Sequence, residues 1–416
     1  MLLHLLAALA AVVLLGRVLG ALFRGIGQPA VIGEVVAGIV LGPSLLGHFW
    51  PDAYTFILPP SVAPSLGLLS QLGVVLYMFL VGVELDTDVF RGRLRATATI
   101  ALTSIAVPFA LGLWLATHLY ARYAPEGVTA MHFALFVGVA MSITAFPVLA
   151  RILTDRGLSK TPIGRLALTC AAIDDVTAWC LLAFVVGIVQ SAEGQAWLPT
   201  VLTVVFIGFM FAVVRPAVLG LLERWRDRQG DQTVIAITLV AVLLSALATE
   251  AIGVHAIFGA FLLGAIVPHS SRLAQVLQER IESPVTILLL PAFFAFAGMR
   301  TQIGLLSDVS AWLTCVVIVL VATGGKFGGA LLAARLVGYG WRSATGLGIL
   351  INTRGLMELI VLNVGLDLGI ISPALFTMMV IMALVTTMAA GPLFAAVQGS
   401  EVSVHVSGSG RSAALP

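Results

Sequence analysis

Charge is what this chain has least of. Only 10% of its 416 residues are Asp, Glu, Lys or Arg, against 60% hydrophobic, and the mean hydropathy is +1.08. A soluble protein of this size carries about 25% charged residues. A solvated globular enzyme is therefore excluded, and almost the whole chain belongs in or beside a bilayer. Cysteine is scarce too: Cys170, Cys180 and Cys315 are scattered, with no metal-ligand spacing, and read as small packing residues outside any disulfide framework. The start, Met1-Leu-Leu-His-Leu-Leu, lacks the basic region of a secretory leader and reads as the beginning of the first spanning helix. Residues 398–416 form a short Ser/Gly-rich tail, expected to be disordered. No cofactor, no enzymatic activity and no nucleic-acid partner is expected.

What is present is a series of apolar runs of about 17–25 residues, each long enough to cross a bilayer. Gly, Pro and charge clusters break them into about thirteen spans, with centres near residues 12, 38, 74, 106, 141, 177, 206, 241, 260, 291, 321, 355 and 383. The expectation is an all-α polytopic membrane protein whose transmembrane unit covers 1–397. Basic residues test the count. If successive loops alternate sides, Arg122 and Arg300 fall on one side, Lys326 and Arg354 stay inside, and the remaining Lys and Arg all fall on the other. The positive-inside rule then puts the N-terminus outside and the C-terminus in the cytoplasm of a cell-membrane protein.

Two short matches suggest an internal repeat. Gly33-Glu-Val-Val-Ala-Gly-Ile-Val-Leu-Gly-Pro43 of span two parallels Ala256-Ile-Phe-Gly-Ala-Phe-Leu-Leu-Gly-Ala-Ile-Val-Pro268 of span nine. The end of span three, Phe79-Leu-Val-Gly-Val-Glu-Leu-Asp86, parallels Phe294-Ala-Phe-Ala-Gly-Met-Arg-Thr301 of span ten. Both offsets are seven spans, and an odd offset inverts orientation. The expectation is two inverted-topology repeats, about 1–190 and 232–397, an arrangement that marks transporters. Gly-rich spans also resemble one another simply because small residues let helices approach.

Against this apolar background two adjacent acids stand out. Asp174 and Asp175 lie in Cys170-Ala-Ala-Ile-Asp-Asp-Val-Thr-Ala-Trp179, in the middle of the sixth span. A carboxylate at bilayer depth costs about 2.5–3.5 kcal/mol on insertion scales, and a like-charged neighbour adds to that. Such a pair calls for a cation, a proton or a basic partner. At about 1.5 Å rise per residue, Asp175 lies roughly 15 Å from Arg165 and Lys326 roughly 13 Å from Arg335. Both are then near the middle of a ~30 Å hydrocarbon core and can meet. The alternative for Lys326 is snorkelling to the interface. Neighbouring residues on a helix point about 100° apart, so one aspartate can face Lys326 while the other faces a cavity. A static ion pair with a spare protonated Asp is the structural alternative.

Spans five and twelve carry the other irregularities. Pro147, in Met141-Ser-Ile-Thr-Ala-Phe-Pro-Val-Leu-Ala-Arg151, removes a backbone donor and frees carbonyls near Ile143 and Thr144. Span twelve contains Asn352-Thr-Arg-Gly355, poor company for a continuous lipid-facing helix. Two interrupted helices at matching repeat positions point to a midplane binding site. Arg354 and Glu358, four apart, have the spacing of a same-face ion pair that cancels charge, and Thr353 and Pro147 are grouped with them as structural. Glu34 reads as a solvated helix end or a pathway acid, Glu84 and Glu250 as wet edges, and His255 as interfacial.

At these residues the chain resembles the monovalent cation:proton antiporter-2 family. The resemblance runs over roughly residues 5–396 and is carried by Gly33-Glu34…Gly42-Pro43, Phe79-Leu-Val-Gly-Val-Glu-Leu-Asp86, Ile173-Asp-Asp175, Gly253-Val-His-Ala-Ile-Phe-Gly-Ala260 and Asn352-Thr-Arg-Gly-Leu-Met-Glu-Leu-Ile-Val-Leu-Asn363. The last two strings are most similar to the plant and fungal branch, associated with potassium. The aspartate pair is more similar to electrogenic sodium/proton antiporters, so the ion stays open between Na⁺ and K⁺. The resemblance implies a homodimer in which a mobile core moves against a dimerisation domain. It makes Asp175 the carboxylate that binds cation or proton, Asp174 its partner paired with Lys326, and the regions of Thr144 and Thr353 the crossed, unwound stretches of spans five and twelve. Ile143 and Thr144 join the two aspartates as ion- and proton-binding positions, and the transported metal ion falls to Asp175 and Asp174. No C-terminal nucleotide-binding domain is expected, which speaks against ligand gating of the potassium-efflux type. The rivals are a cation channel, an organic-anion symporter of similar inverted-repeat fold, and an intramembrane aspartyl protease, for which no Gly-x-Gly-Asp string is present.

Overall fold

The computed structural model describes residues 2–84, 94–155, 157–158, 161–190, 197–225, 231–253 and 255–398. Asp86, Val254, the basic positions 91, 93, 156, 160, 226, 228 and 411, and the tail from 399 lie outside the described residues, as do the side chains of Arg95, Pro147 and Arg151. Every regular element among the described residues is helical. Among the described residues ten helices are long and apolar enough to cross a membrane, and Ala130–Ser142 and Ala256–Ile266 are shorter apolar ones. Each of the thirteen expected centres falls on or between these elements.

The breaks and ends follow local chemistry. Thr129 accepts the His132 N–H at the start of Ala130–Ser142, and Asp308 accepts the Ala311 N–H at 3.0 Å at the start of the eleventh span, Val309–Leu336. Both satisfy a donor that the first helical turn leaves free. The eighth span, Gln232–Ile252, stops at Gly253, whose φ of +90° is the left-handed conformation usual just past a helix end. The fifth span is two half-helices, Ala130–Ser142 and Phe146–Asp155, and the twelfth is two more, Trp341–Ile351 and Leu356–Asp367. Pro147 sits at the second position of its half-helix, where a missing N–H costs no internal bond. It therefore opens a new helix after an extended link and does not kink a continuous one.

Packing obeys the seven-span offset. The second span, Ala30–Leu41, crosses the tenth, Leu290–Arg300, and the third, Ala63–Glu84, crosses the ninth, Ala256–Ile266. Applying the offset to one pair generates the other. Both crossings are made glycine on glycine: a Cβ on Gly298 would lie 2.9 Å from the Gly38 Cα, and one on Gly264 would lie 3.0 Å from the Gly82 Cα. The sequence matches that suggested the repeat thus include the glycines at both of these crossings. On the face where Arg122 and Arg300 fall, each is paired, Arg122 with Asp308 at 2.7 Å and Arg300 with Asp367 at 2.5 Å. The hydrogen bond from Arg122 holds the Asp308 carboxyl below the usual carboxylate range.

Gly264→Val is expected to destabilise the protein by about 1–3 kcal/mol, because the new side chain meets the Phe79 backbone with nowhere to move. Gly208→Ala, where the added carbon meets nothing within 4 Å, should leave the melting temperature in detergent unchanged or slightly raised. Thermal unfolding of the two variants side by side checks this.

Candidate functional site

The two interrupted spans meet at their breaks. The chain leaves the helix at Ile143, whose φ and ψ of −75° and 139° are extended, and re-enters at Phe146. Across from it, Asn352 to Gly355 link the halves of span twelve. The Ala145 N–H donates to the Thr353 carbonyl at 3.0 Å, so the two links are stitched directly to each other. Thr144, Asn352, Thr353 and Arg354 are all buried.

The sixth span, Pro162–Gln190, runs past this crossing and presents its acids to it. Asp174 is fully buried and well supplied with donors: the Lys326 ammonium at 2.9 Å, the Thr144 hydroxyl at 2.7 Å, and the Ser104 hydroxyl at 3.2 Å. Lys326 is also fully buried, which rules out snorkelling, and its ammonium donates in addition to the Ser142 carbonyl. Asp175, 1% exposed, differs sharply. Neither of its carboxylate oxygens has a hydrogen-bond partner among the described residues. The Phe146 N–H, at the start of the second half-helix, faces it, so the positive end of that helix points toward the acid. The 100° step between neighbours has thus produced one saturated carboxylate and one bare one.

Arg354 and Glu358 pair at 2.7 Å, both wholly buried, as their spacing predicts. Arg354 does more than cancel a charge. It donates to the Ala140 carbonyl at 3.0 Å and the Met141 carbonyl at 2.6 Å. With Lys326 on Ser142, two cations therefore occupy three consecutive carbonyls at the C-terminal end of Ala130–Ser142, where a helix presents negative partial charge. Thr387 of the thirteenth span, Pro373–Gln398, clasps the Arg354 backbone, donating to its carbonyl at 2.6 Å and accepting its N–H at 3.2 Å. Besides Asp175, the Asn352 amide oxygen, the Thr353 hydroxyl and one Glu358 oxygen on span twelve are buried acceptors without partners among the described residues. Hard alkali cations take such oxygen ligands.

Of the positions expected from sequence, Asp174, Thr144 and Lys326 are brought into direct contact, and Arg354 and Glu358 into a second cluster on the same half-helix end. Ile143 lies in the extended link with its side chain buried. Pro147 belongs to the half-helix that begins beside Asp175. Ser104, Thr387 and Asn352 were not anticipated in these roles. Ser104 and Thr387 are single hydroxyls in apolar helices, a signal too common to single out. Glu84 and Glu250 are exposed as expected, though one Glu250 oxygen accepts the Ala256 N–H at 2.8 Å. His255 is half-buried, and its Nδ1 is enclosed without a partner.

Removing one member of a buried ion pair leaves an uncompensated charge and costs about 3–5 kcal/mol. Arg354→Met strips both the Glu358 partner and the two helix-end carbonyls, so it should lower the melting temperature more than Glu358→Gln, whose amide oxygen still accepts from Arg354. Equal shifts would contradict this dual role.

A family model described as sodium/hydrogen exchanger, transmembrane, matches residues 9–397. The Na(+)/H(+) antiporter NhaS4 of Synechocystis sp. (strain ATCC 27184 / PCC 6803 / Kazusa) is 44% identical over 395 residues, covering 94% of this chain and 96% of that protein. Cation/H(+) antiporter 17 of Arabidopsis thaliana is 38% identical over 93% of this chain and 47% of its own length. K(+)/H(+) antiporter 1 of Saccharomyces cerevisiae (strain ATCC 204508 / S288c) is 36% identical over 88% and 43%. The chain spans about half the length of these last two relatives. The solved structure of the sodium proton antiporter MjNhaP1 from Methanocaldococcus jannaschii superposes with a TM-score of 0.62, covering 96% of this chain and 100% of that one. At 13% identity that likeness speaks to the fold alone. The family model covers nearly every described element, and the crossing of two broken helices beside buried acids lies within it: the chain belongs to the sodium/hydrogen exchanger family.

Proposed function

We propose that this protein is a secondary active antiporter that exchanges an alkali-metal cation, Na⁺ or K⁺, for protons at Asp175. The single observation that carries the reading is the bare carboxylate: Asp175 is buried at the helix crossing with both oxygens unpartnered. A charged acid left alone at that depth is unstable. It is made neutral either by a proton or by a partly dehydrated cation, and the two compete for the same oxygens. Either load lets the site cross between inward- and outward-facing states, whereas the empty, charged site is held back by the cost of moving a bare charge through hydrocarbon. Coupling follows from that competition, with no cofactor and no covalent step.

Asp174 plays a different part in this scheme. Its donors are in place already, so it anchors Lys326 and the fifth-span link and leaves Asp175 to exchange its load. In this reading Thr144, hydrogen-bonded to Asp174, and Ile143 of the same link are the ion- and proton-binding positions of span five, while Arg354, Glu358, Thr353 and the half-helix opened by Pro147 hold the crossing together. The transmembrane unit is 1–397, built as repeats of about 1–190 and 232–397. The protein works as a homodimer, a mobile core moving against a dimerisation domain, in the cell membrane. Its N-terminus is outside and its C-terminus cytoplasmic, as the basic loops favour. A channel would need no paired breaks, and an organic-anion carrier has no counterpart among the relatives described above.

Proteoliposomes with an imposed pH gradient, tested with Na⁺, K⁺ and Li⁺ in turn, provide the test. Wild-type protein should dissipate the gradient with at least one of these cations. Asp175→Ala should abolish that movement, and Asp174→Asn should make the exchange electroneutral, insensitive to membrane potential. Full exchange by Asp175→Ala would refute the assignment.

A further inference from the structure

On the Arg300 face a cleft separates two groups of spans. The third and tenth spans pack on each other, and the tenth also on the second, while the second half of span twelve, Leu356–Asp367, packs on the thirteenth span and on Ala130–Ser142. Two adjoining cavities, of about 150 and about 30 Å³, lie between the groups and share Gln71, His255, Val364 and Asp367. One wall is Val74 of the third span and Phe293 of the tenth; the other is Ile360 and Val364 of span twelve. Along that half-helix, at about 1.5 Å per residue, Asp367 lies roughly 18 Å from Gly355 at the helix crossing, and Ile360 roughly 7 Å. The cavities thus follow the half-helix from the exposed Asp367 most of the way to the broken links.

Arg300 stands at the mouth of this cleft. It is the last residue of the tenth span, and its guanidinium lies 5.4 Å from the centre of the Phe296 ring on its own helix. From there it reaches across to span twelve, donating to Asn363 Oδ1 at 2.9 Å and to Asp367 Oδ1 at 2.5 Å. These two residues are four apart, on one helical face. The Asn363 amide nitrogen donates to the Leu359 carbonyl of its own helix at 2.8 Å, which leaves the amide oxygen for Arg300. The side chains of Arg300 and Asp367 are 24% and 44% exposed. Water can therefore take over each partner, and the bonds break and remake at little cost. The wholly buried pairs of the site have no such freedom. Arg122 and Asp308, on the same face, join the fourth span, Leu94–Tyr123, to the start of the eleventh, and those two spans pack along each other. That pair lies within one group of spans, whereas Arg300 bridges two.

We propose that Arg300 is the gate of the cation path on this face, a positioning residue that acts through Asn363 and Asp367. With its bonds to them made, the two groups of spans are held together and a fixed positive charge stands in the entrance, where it repels an incoming cation. With the bonds broken, the walls part, the charge swings out, and the freed Asn363 and Asp367 oxygens line the opened path toward Asp175. The inference rests on the exchanger reading and deepens it, because it names the contact that shuts one side of the site.

The test is the rate at which a water-soluble, membrane-impermeant maleimide labels position 364 of a Val364→Cys protein in lipid nanodiscs, with the labels located by mass spectrometry. Val364 lines the cleft and is only 4% exposed, so labelling reports its opening, and in nanodiscs both faces meet the reagent. Arg300→Gln and Asp367→Asn should each speed this labelling about fivefold, as the loss of one half-exposed ion pair implies. Reversal of the pair, Arg300→Asp with Asp367→Arg, should return the slow rate. The native Cys170 and Cys315, both buried, should stay as slow as before. Unchanged labelling at position 364 in both single variants overturns this proposal alone. Equal gains at Cys315 and at position 364 overturn it too, because Arg300 then merely stabilises the fold. Cation-driven proton movement by the wild-type protein in proteoliposomes keeps the two readings apart. If none occurs with Na⁺, K⁺ or Li⁺, the exchanger reading falls, and this proposal with it.

Discussion

The ion pair between Lys326 and Asp174 is the interaction on which the rest of the site depends. Each member is wholly buried, and each would be expensive to bury alone. Together they fix three spans at one point: the sixth through Asp174, the eleventh through Lys326, and the fifth through Thr144 and the Ser142 carbonyl. That arrangement has a consequence for the neighbouring acid. The side-chain donors named above converge on Asp174 and leave Asp175 facing the Phe146 N–H, without a hydrogen bond among the described residues. The bare carboxylate is thus a product of the pairing beside it.

The second cluster does for the helix ends what the first does for the acids. A helix broken inside a membrane leaves carbonyls without partners, and hydrocarbon supplies none. Here Arg354 and Lys326 take the three carbonyls that end the first half of span five, while the Thr353 carbonyl accepts the Ala145 N–H that begins its second half. Span twelve thereby stabilises the break in span five, and Thr387 stabilises the break in span twelve. The inverted symmetry seen at the Gly38–Gly298 and Gly82–Gly264 crossings places the two breaks opposite each other, so each can complete the other.

Much of this was legible in the sequence, for a physical reason. In a bilayer a charged residue is so costly that its presence alone marks function, so Asp174, Asp175, Lys326 and Arg354 could be picked out, and Asp175 and Lys326 placed at a common depth by counting helical rise. Glycine was equally readable at Gly38 and Gly264, since close crossings leave room for nothing larger. Hydroxyls and backbone carbonyls were not readable. Ser104 and Thr387 look like any small polar residue that bonds to its own helix, and the carbonyls of Ala140, Met141 and Ser142 carry no side-chain signature at all. Pro147 was read as a breaker that frees carbonyls, and its place at the opening of a second half-helix became clear only with the backbone path. Which aspartate faces Lys326 was fixed by helix rotation, a quantity that residue spacing alone leaves free.

The central claim is a division of labour between adjacent carboxylates, one saturated and one bare. The most direct measurement is the position of the transported ion. Crystals soaked in a heavy, anomalously scattering alkali cation at high pH should show an anomalous peak in coordination contact with the Asp175 carboxylate, and that peak should vanish at low pH. A peak held by Asp174 in place of Lys326, with Asp175 left without an ion, would contradict the account.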